Sequence, residues 1–73
     1  MKISITDINI ECKFANICFT ISGREYIYWI EDQYITRMYN NTTRTLKGKE
    51  KEFVMNKLIK NDKAKNIILK ENI

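Results

Sequence analysis

Between Ile8 and Ile30 the chain alternates apolar and polar positions in three phases. Ile8, Ile10, Cys12 and Phe14 form the first, Ile17, Phe19 and Ile21 the second, and Tyr26, Tyr28 and Ile30 the third. A period of two is the mark of a strand with one buried face. The breaks at Ala15-Asn16 and Gly23-Arg24 have the length of tight hairpin loops. The stretch therefore predicts an antiparallel meander.

The meander can be paired residue by residue. With Ala15-Asn16 as the first loop, Phe14 faces Ile17, Lys13 faces Cys18, Cys12 faces Phe19 and Glu11 faces Thr20. Alanine suits the positive φ of a two-residue turn poorly, and a four-residue loop would keep the same pairing. With Gly23 at the first central position of a turn over Ser22-Gly23-Arg24-Glu25, Ile21 pairs with Tyr26, Thr20 with Ile27, Phe19 with Tyr28 and Cys18 with Trp29. The alternating residues from Ile8 to Ile30 then share one face, the predicted core. Cys12 and Cys18 point to opposite faces, a placement that forbids a disulfide between them. Ile3 and Ile5 are out of phase with Ile8; either the strand bulges near Thr6-Asp7 or these two join the opposite face.

Residues 31–47 admit two readings. Glu31-Asp32 could open a helix carrying Ile35, Met38 and Tyr39 and stopped by Asn40. Alternatively Glu31-Asp32-Gln33 is a hairpin loop before a fourth strand, Tyr34–Tyr39, which the β-branched and aromatic content favours. In that register Tyr34, Thr36 and Met38 join the core face, and Ile35, Arg37 and Tyr39 join Trp29 on the other. Residues 40–47 read as a polar connection. From about Lys49 to Lys60, Phe53, Val54 and Leu58, with Met55 and Ile59, form an apolar stripe at helical spacing. Asn61, Asp62 and Lys65 would interrupt that stripe, which predicts a break and a second helix capped by Asp62 and carrying Ala64, Ile67 and Ile68. A strand over 66–70 competes. The fold class expected is α+β: a three- or four-stranded antiparallel meander sheet followed by one or two C-terminal helices packed on one face. It forms a single small domain over 1–73, with the meander in 1–40 and the helical part in 47–72.

Composition narrows the chemistry. Seventy-three residues lie near the lower limit for a core without staples. Histidine is absent, and with it the usual general base, metal ligand and pH switch. Neither Ser4 nor Ser22 has an imidazole to activate it, and Cys18 lacks one too. Gly23 and Gly48 are the only glycines, too few for a phosphate-cradling loop. Glu31-Asp32 is the one adjacent acidic pair and reads as a loop. The two cysteines show no metal-ligand spacing. The chain is expected to be no enzyme and to need no cofactor.

Charge is uneven. Residues 1–40 hold four basic against five acidic residues, net −1, and residues 41–73 hold nine against four, net +5. A basic half suits a polyanionic or acidic partner, or is a solvated lysine-rich helix face. No apolar run resembles a secretory signal or a membrane span, so a cytoplasmic location is expected, in the host cell if a phage encodes the chain. The basic stretch 47–60 could lie on an anionic membrane, but its apolar face lacks tryptophan and the sheet needs a cover. The Asn40-Asn41-Thr42-Thr43 glycosylation patterns read as turn residues.

The face opposite the core holds the candidates for function. Trp29, Ile27 and Cys18, with Arg37 and Tyr39 from the fourth strand, are candidates for a protein partner or a homodimer. Lys13, Arg24, Arg37, Arg44, Lys47, Lys49, Lys51 and Lys57 are candidates for nucleic-acid phosphates, with Trp29 and Tyr39 stacking on bases. A third possibility is that the helices divide and cover both faces, making Trp29 plain core. The expectation is a small binding protein that occupies a surface, a protein-interaction module or inhibitor. Its class prior is that of mobile-element or anti-defence proteins directed at a host nucleoprotein complex. A nucleic-acid-binding protein is the alternative.

Overall fold

The structure, a computed structural model, describes residues 3–10 and 15–71, leaving aside the side chains of 70 and 71. The strands Ile3–Asn9 (β1), Asn16–Ile21 (β2), Arg24–Trp29 (β3), Tyr34–Tyr39 (β4) and Thr42–Thr45 (β5) precede the helices Gly48–Ile59 (α1) and Asp62–Glu71 (α2). The strands form one antiparallel sheet in the order β1-β2-β3-β4-β5. The fold is α+β: a five-stranded meander followed by two helices.

The first strand lies earlier than the alternation suggests. Ile3 pairs with Ile21, Ile5 with Phe19 and Ile8 with Ile17, with a register shift between Ile5 and Asp7. The extra residue of this bulge restores the phase. Ile3, Ile5 and Ile8 thereby all pack against the core. Ala15-Asn16 is no loop: Ala15 is buried, and its carbonyl accepts the Ile30 N–H at 3.0 Å, extending the β2–β3 ladder. Ile10, expected in the core, is 52% exposed. The pairings expected for Glu11, Lys13, Cys12 and Phe14 fall outside the described residues.

In the second hairpin the turn is Ser22-Gly23, with φ of 52° and 79°, so Ile21 faces Arg24, Phe19 faces Tyr26 and Cys18 faces Ile27. Positive φ at both central residues is the type I′ pattern, whose twist matches the strands. The pairing moves by two residues from the expected one, and the faces survive because side chains alternate with period two.

The third hairpin changes the faces. Gln33 N–H bonds the Trp29 carbonyl at 2.9 Å, closing a four-residue loop, and Tyr28 pairs with Ile35, Ile27 with Thr36 and Trp29 with Tyr34. The expected three-residue loop is one residue too short, and a one-residue slip inverts a strand. Ile35 is therefore fully buried, while Tyr34, Thr36 and Met38 lie on the Trp29 face. Residues 42–45, expected as polar connection, pair with β4 across Asn40-Asn41. The meander thus extends to Thr45.

The sheet residues of the core, Ile17, Phe19, Ile21, Tyr26, Tyr28 and Ile35, share one face. They form one cluster with Leu46, with Val54 and Leu58 of α1, and with Ala64 and Ile68 of α2. Both helices therefore lie on that face, not one on each. Phe53 and Ile59, assigned to the α1 stripe by spacing, are 47% and 40% exposed. The break falls where polar residues interrupt the stripe, and the cap is Asn61: its Oδ1 accepts the Ala64 N–H at 3.1 Å. Asp62 instead occupies the first turn of α2. No helix among the described residues is long and apolar enough to cross a membrane.

Candidate functional site

With both helices on one side, the other side of the sheet has no layer over it among the described residues. Trp29 ends β3 and faces Tyr34 across the ladder, their rings stacked at 6.1 Å and 20°. The indole Nε1–H donates to Thr36 Oγ1 at 3.1 Å. This bond gives the ring a fixed orientation and supplies a donor to the hydroxyl oxygen of Thr36, the one buried residue on this face among those described. Around it, Cys18, Thr20, Ile27 and Tyr34 are partly exposed and Met38 is exposed, whereas Ile17, Phe19, Ile21, Tyr26, Tyr28 and Ile35 at the centre of the core face are buried. An open groove of about 290 Å³ runs beside them, lined by Thr6, Cys18, Thr20, Glu25, Ile27 and Met38 among others.

The electrostatics of this face are one-sided. Asp7 pairs with Cys18 and Glu25 with Thr20, which puts both carboxylates on it. Among the described residues no lysine or arginine shares it. The Cys18 thiol bonds Asn16 Oδ1 at 3.6 Å, and burial, with the nearby Asp7 charge, pushes its pKa up. It is thus a poor thiolate nucleophile. Among the described residues no three His, Cys, Asp or Glu side chains could hold a metal ion together.

Of the residues assigned to this face by sequence, Trp29, Ile27 and Cys18 are there. Arg37 and Tyr39 are not, because the slip of β4 carries them to the helix side with Ile35. Trp29 and Tyr39 therefore cannot stack on neighbouring bases of one strand across one face. Tyr34 and Met38 take their places. Both were visible as strand residues, but loop length decides their side, and no local signal in Glu31-Asp32-Gln33 states it.

The basic candidates divide. Arg37 faces Arg44 across β4 and β5, its guanidinium carbon 4.4 Å from the Tyr39 ring centroid. Arg44 forms an ion pair with Glu50 at 3.0 Å. Arg24 faces Ile21. Lys47, Lys49 and Lys51 flank the start of α1, which no side chain caps, while Lys57 sits in its last turn with Nζ 5.5 Å from the Phe53 ring centroid. Lys13 lies outside the described residues. No family model, curated protein or solved structure matches the chain.

Proposed function

We propose that this chain is a non-enzymatic binding protein that acts by occupying the surface of a protein partner with the Trp29 face. The observation that carries this reading is the placement of both helices on the opposite side, which leaves Trp29, Tyr34, Ile27 and Met38 without a cover among the described residues. Aromatic side chains and methionine held on a rigid sheet are the common anchors of interfaces.

Charge selects the kind of occupant. With Asp7 and Glu25 on this face and no described basic residue beside them, phosphate is repelled. A second copy would bring two such carboxylate pairs together. The partner that fits is a protein with an apolar centre and a basic rim, as on a subunit of a nucleoprotein or defence complex.

The test is capture from lysate, treated and untreated with nuclease, by the wild-type chain and by Trp29→Thr, followed by reconstitution with the purified captured protein. Capture that resists nuclease and is lost in a folded Trp29→Thr variant supports the reading. Nuclease-resistant capture that survives the substitution, or the absence of any nuclease-resistant capture, refutes it.

A further inference from the structure

A second surface lies on the helix side, at the end of the sheet that carries the Ser22-Gly23 and Asn40-Asn41 turns. Arg24 faces the core residue Ile21. Arg37 faces Tyr26, and Arg44 faces Arg37. Tyr39, two residues beyond Arg37, falls on the same side by strand alternation. Three neighbouring strands thus bring three arginines and a tyrosine to one place, away from the Trp29 face. Directly opposite residues have Cβ atoms about 5 Å apart and diagonal ones about 7–8 Å, within reach of long side chains.

Their charges are only partly answered. Glu50 pairs with Arg44. Arg37 lies over the Tyr39 ring, and its Nε is buried without a hydrogen-bond acceptor. Like charges directly opposite on a sheet destabilise it. Beside them α1 begins without a side-chain cap and with Lys47, Lys49 and Lys51 near its positive end, where basic charge opposes the helix dipole; Glu50, the acidic residue of that first turn, is shared with Arg44. Both arrangements cost stability in the free chain, and both are relieved by a bound polyanion.

We propose that Arg24, Arg37 and Arg44 form a site for the phosphodiester backbone of single-stranded nucleic acid, with Tyr39 as a stacking platform for a base. Guanidinium groups bind phosphate through paired, charge-assisted hydrogen bonds. Tyr39 decides for a nucleic acid over an acidic peptide: it is 47% exposed, and a ring backed by arginine offers a base its other face. This site is independent of the Trp29 surface and stands on the opposite side of the sheet.

Fluorescence anisotropy with a labelled oligothymidylate of about twelve nucleotides tests it. The expected result is binding at low salt that weakens steeply as salt rises. Arg24→Gln and Arg44→Gln change exposed side chains and keep the fold, which circular dichroism checks. Each should weaken binding about tenfold and reduce the slope of log K against log salt by about 0.7. Tyr39→Leu should weaken binding and leave the slope unchanged, and Lys65→Gln, on α2, should have a far smaller effect than either arginine variant. Absence of binding at low salt overturns the proposal, as do arginine variants with undiminished slope. Equally tight binding of an oligoglutamate assigns the arginines to acidic peptides and overturns it too.

Discussion

Replacing Trp29 by threonine separates an open face from a covered one. Threonine keeps strand propensity, so the change removes the bond from Nε1 to Thr36 and the stack on Tyr34. The bond contributes about 1 kcal/mol and the stack about another 1, so the expected loss is about 2 kcal/mol. A domain of 73 residues is stable by roughly 4–11 kcal/mol, and the variant should fold. Were Trp29 covered, the cavity would cost about 3–5 kcal/mol and an unpaired buried hydroxyl about 1–3 more, enough to unfold most such domains. Urea titration followed by far-ultraviolet circular dichroism measures the difference. Acrylamide quenching of the wild type adds a direct reading, because Trp29 is the only tryptophan. An unfolded variant, or an indole shielded from acrylamide, would refute the open face.

Three further outcomes follow from local geometry. Gly23→Ala should cost about 1 kcal/mol through backbone strain alone. Its φ is 79° and nothing lies within 4 Å of an added Cβ, so a much larger loss in urea titration would mean an unseen steric neighbour. Asn61→Ala should cost about 1 kcal/mol by removing the α2 cap, and Asp62→Ala clearly less; the reverse order would move the cap to Asp62. Burial raises the pKa of Cys18, with Asp7 adding to it, and burial raises that of Tyr28. A group whose folded pKa is raised keeps its proton in the folded state after the unfolded chain has lost it. The contribution of these two groups to stability should therefore be constant below the ordinary thiol value of 9.0 and fall as pH rises past it, then more steeply past the ordinary phenol value of 10.0. A melting temperature that rises over this range would contradict the burial of Tyr28 and the partly buried placement of Cys18 beside Asp7.

How much of this was legible in the sequence depends on what fixed each feature. Alternation named the buried residues of β2 and β3 because a two-residue error in pairing leaves faces unchanged. Helical spacing placed α1 within a residue, and the polar break at Asn61-Asp62 marked where α2 begins, while a strand over 66–70 fitted the residues beyond it equally and is not what forms. β1 was misplaced because its apolar residues change phase at Thr6, and Ile10 continues the alternation without entering the core. β5 was missed because Thr42–Thr45 is exposed throughout and has no apolar period to read. The aromatic centre of the candidate site was legible in Trp29 and Ile27. Its boundary was not, because Arg37, Tyr39, Tyr34 and Met38 change sides on a single loop residue. Arg24, Arg37 and Arg44 were legible one by one as phosphate candidates, but not as a ladder, since pairing between strands brings them together.

The slip of β4 also shows which force chooses the register. Two sets compete for the core side: Ile35, Arg37 and Tyr39, or Tyr34, Thr36 and Met38. By composition the second is the more apolar, and it was the expected one. Depth decides otherwise, because only the position between Tyr28 and Leu46 is fully enclosed, and farther along β4 the core face opens to solvent. Full burial of an isoleucine there is favourable by about 1.5–3 kcal/mol. The observed loop places Gln33 at a φ of 56°, at a cost of about 1–2 kcal/mol. Tyrosine in its place would carry a hydroxyl into a site with little room, and threonine would bury one without its indole partner, so isoleucine prevails. It follows that Ile35→Ala should cost about 3 kcal/mol, while Met38→Ala should stay within about 0.5. The three-residue loop requires the opposite order. Chemical denaturation of the two variants distinguishes them, and a larger loss for Met38→Ala would return Arg37 and Tyr39 to the Trp29 face and dissolve the arginine ladder.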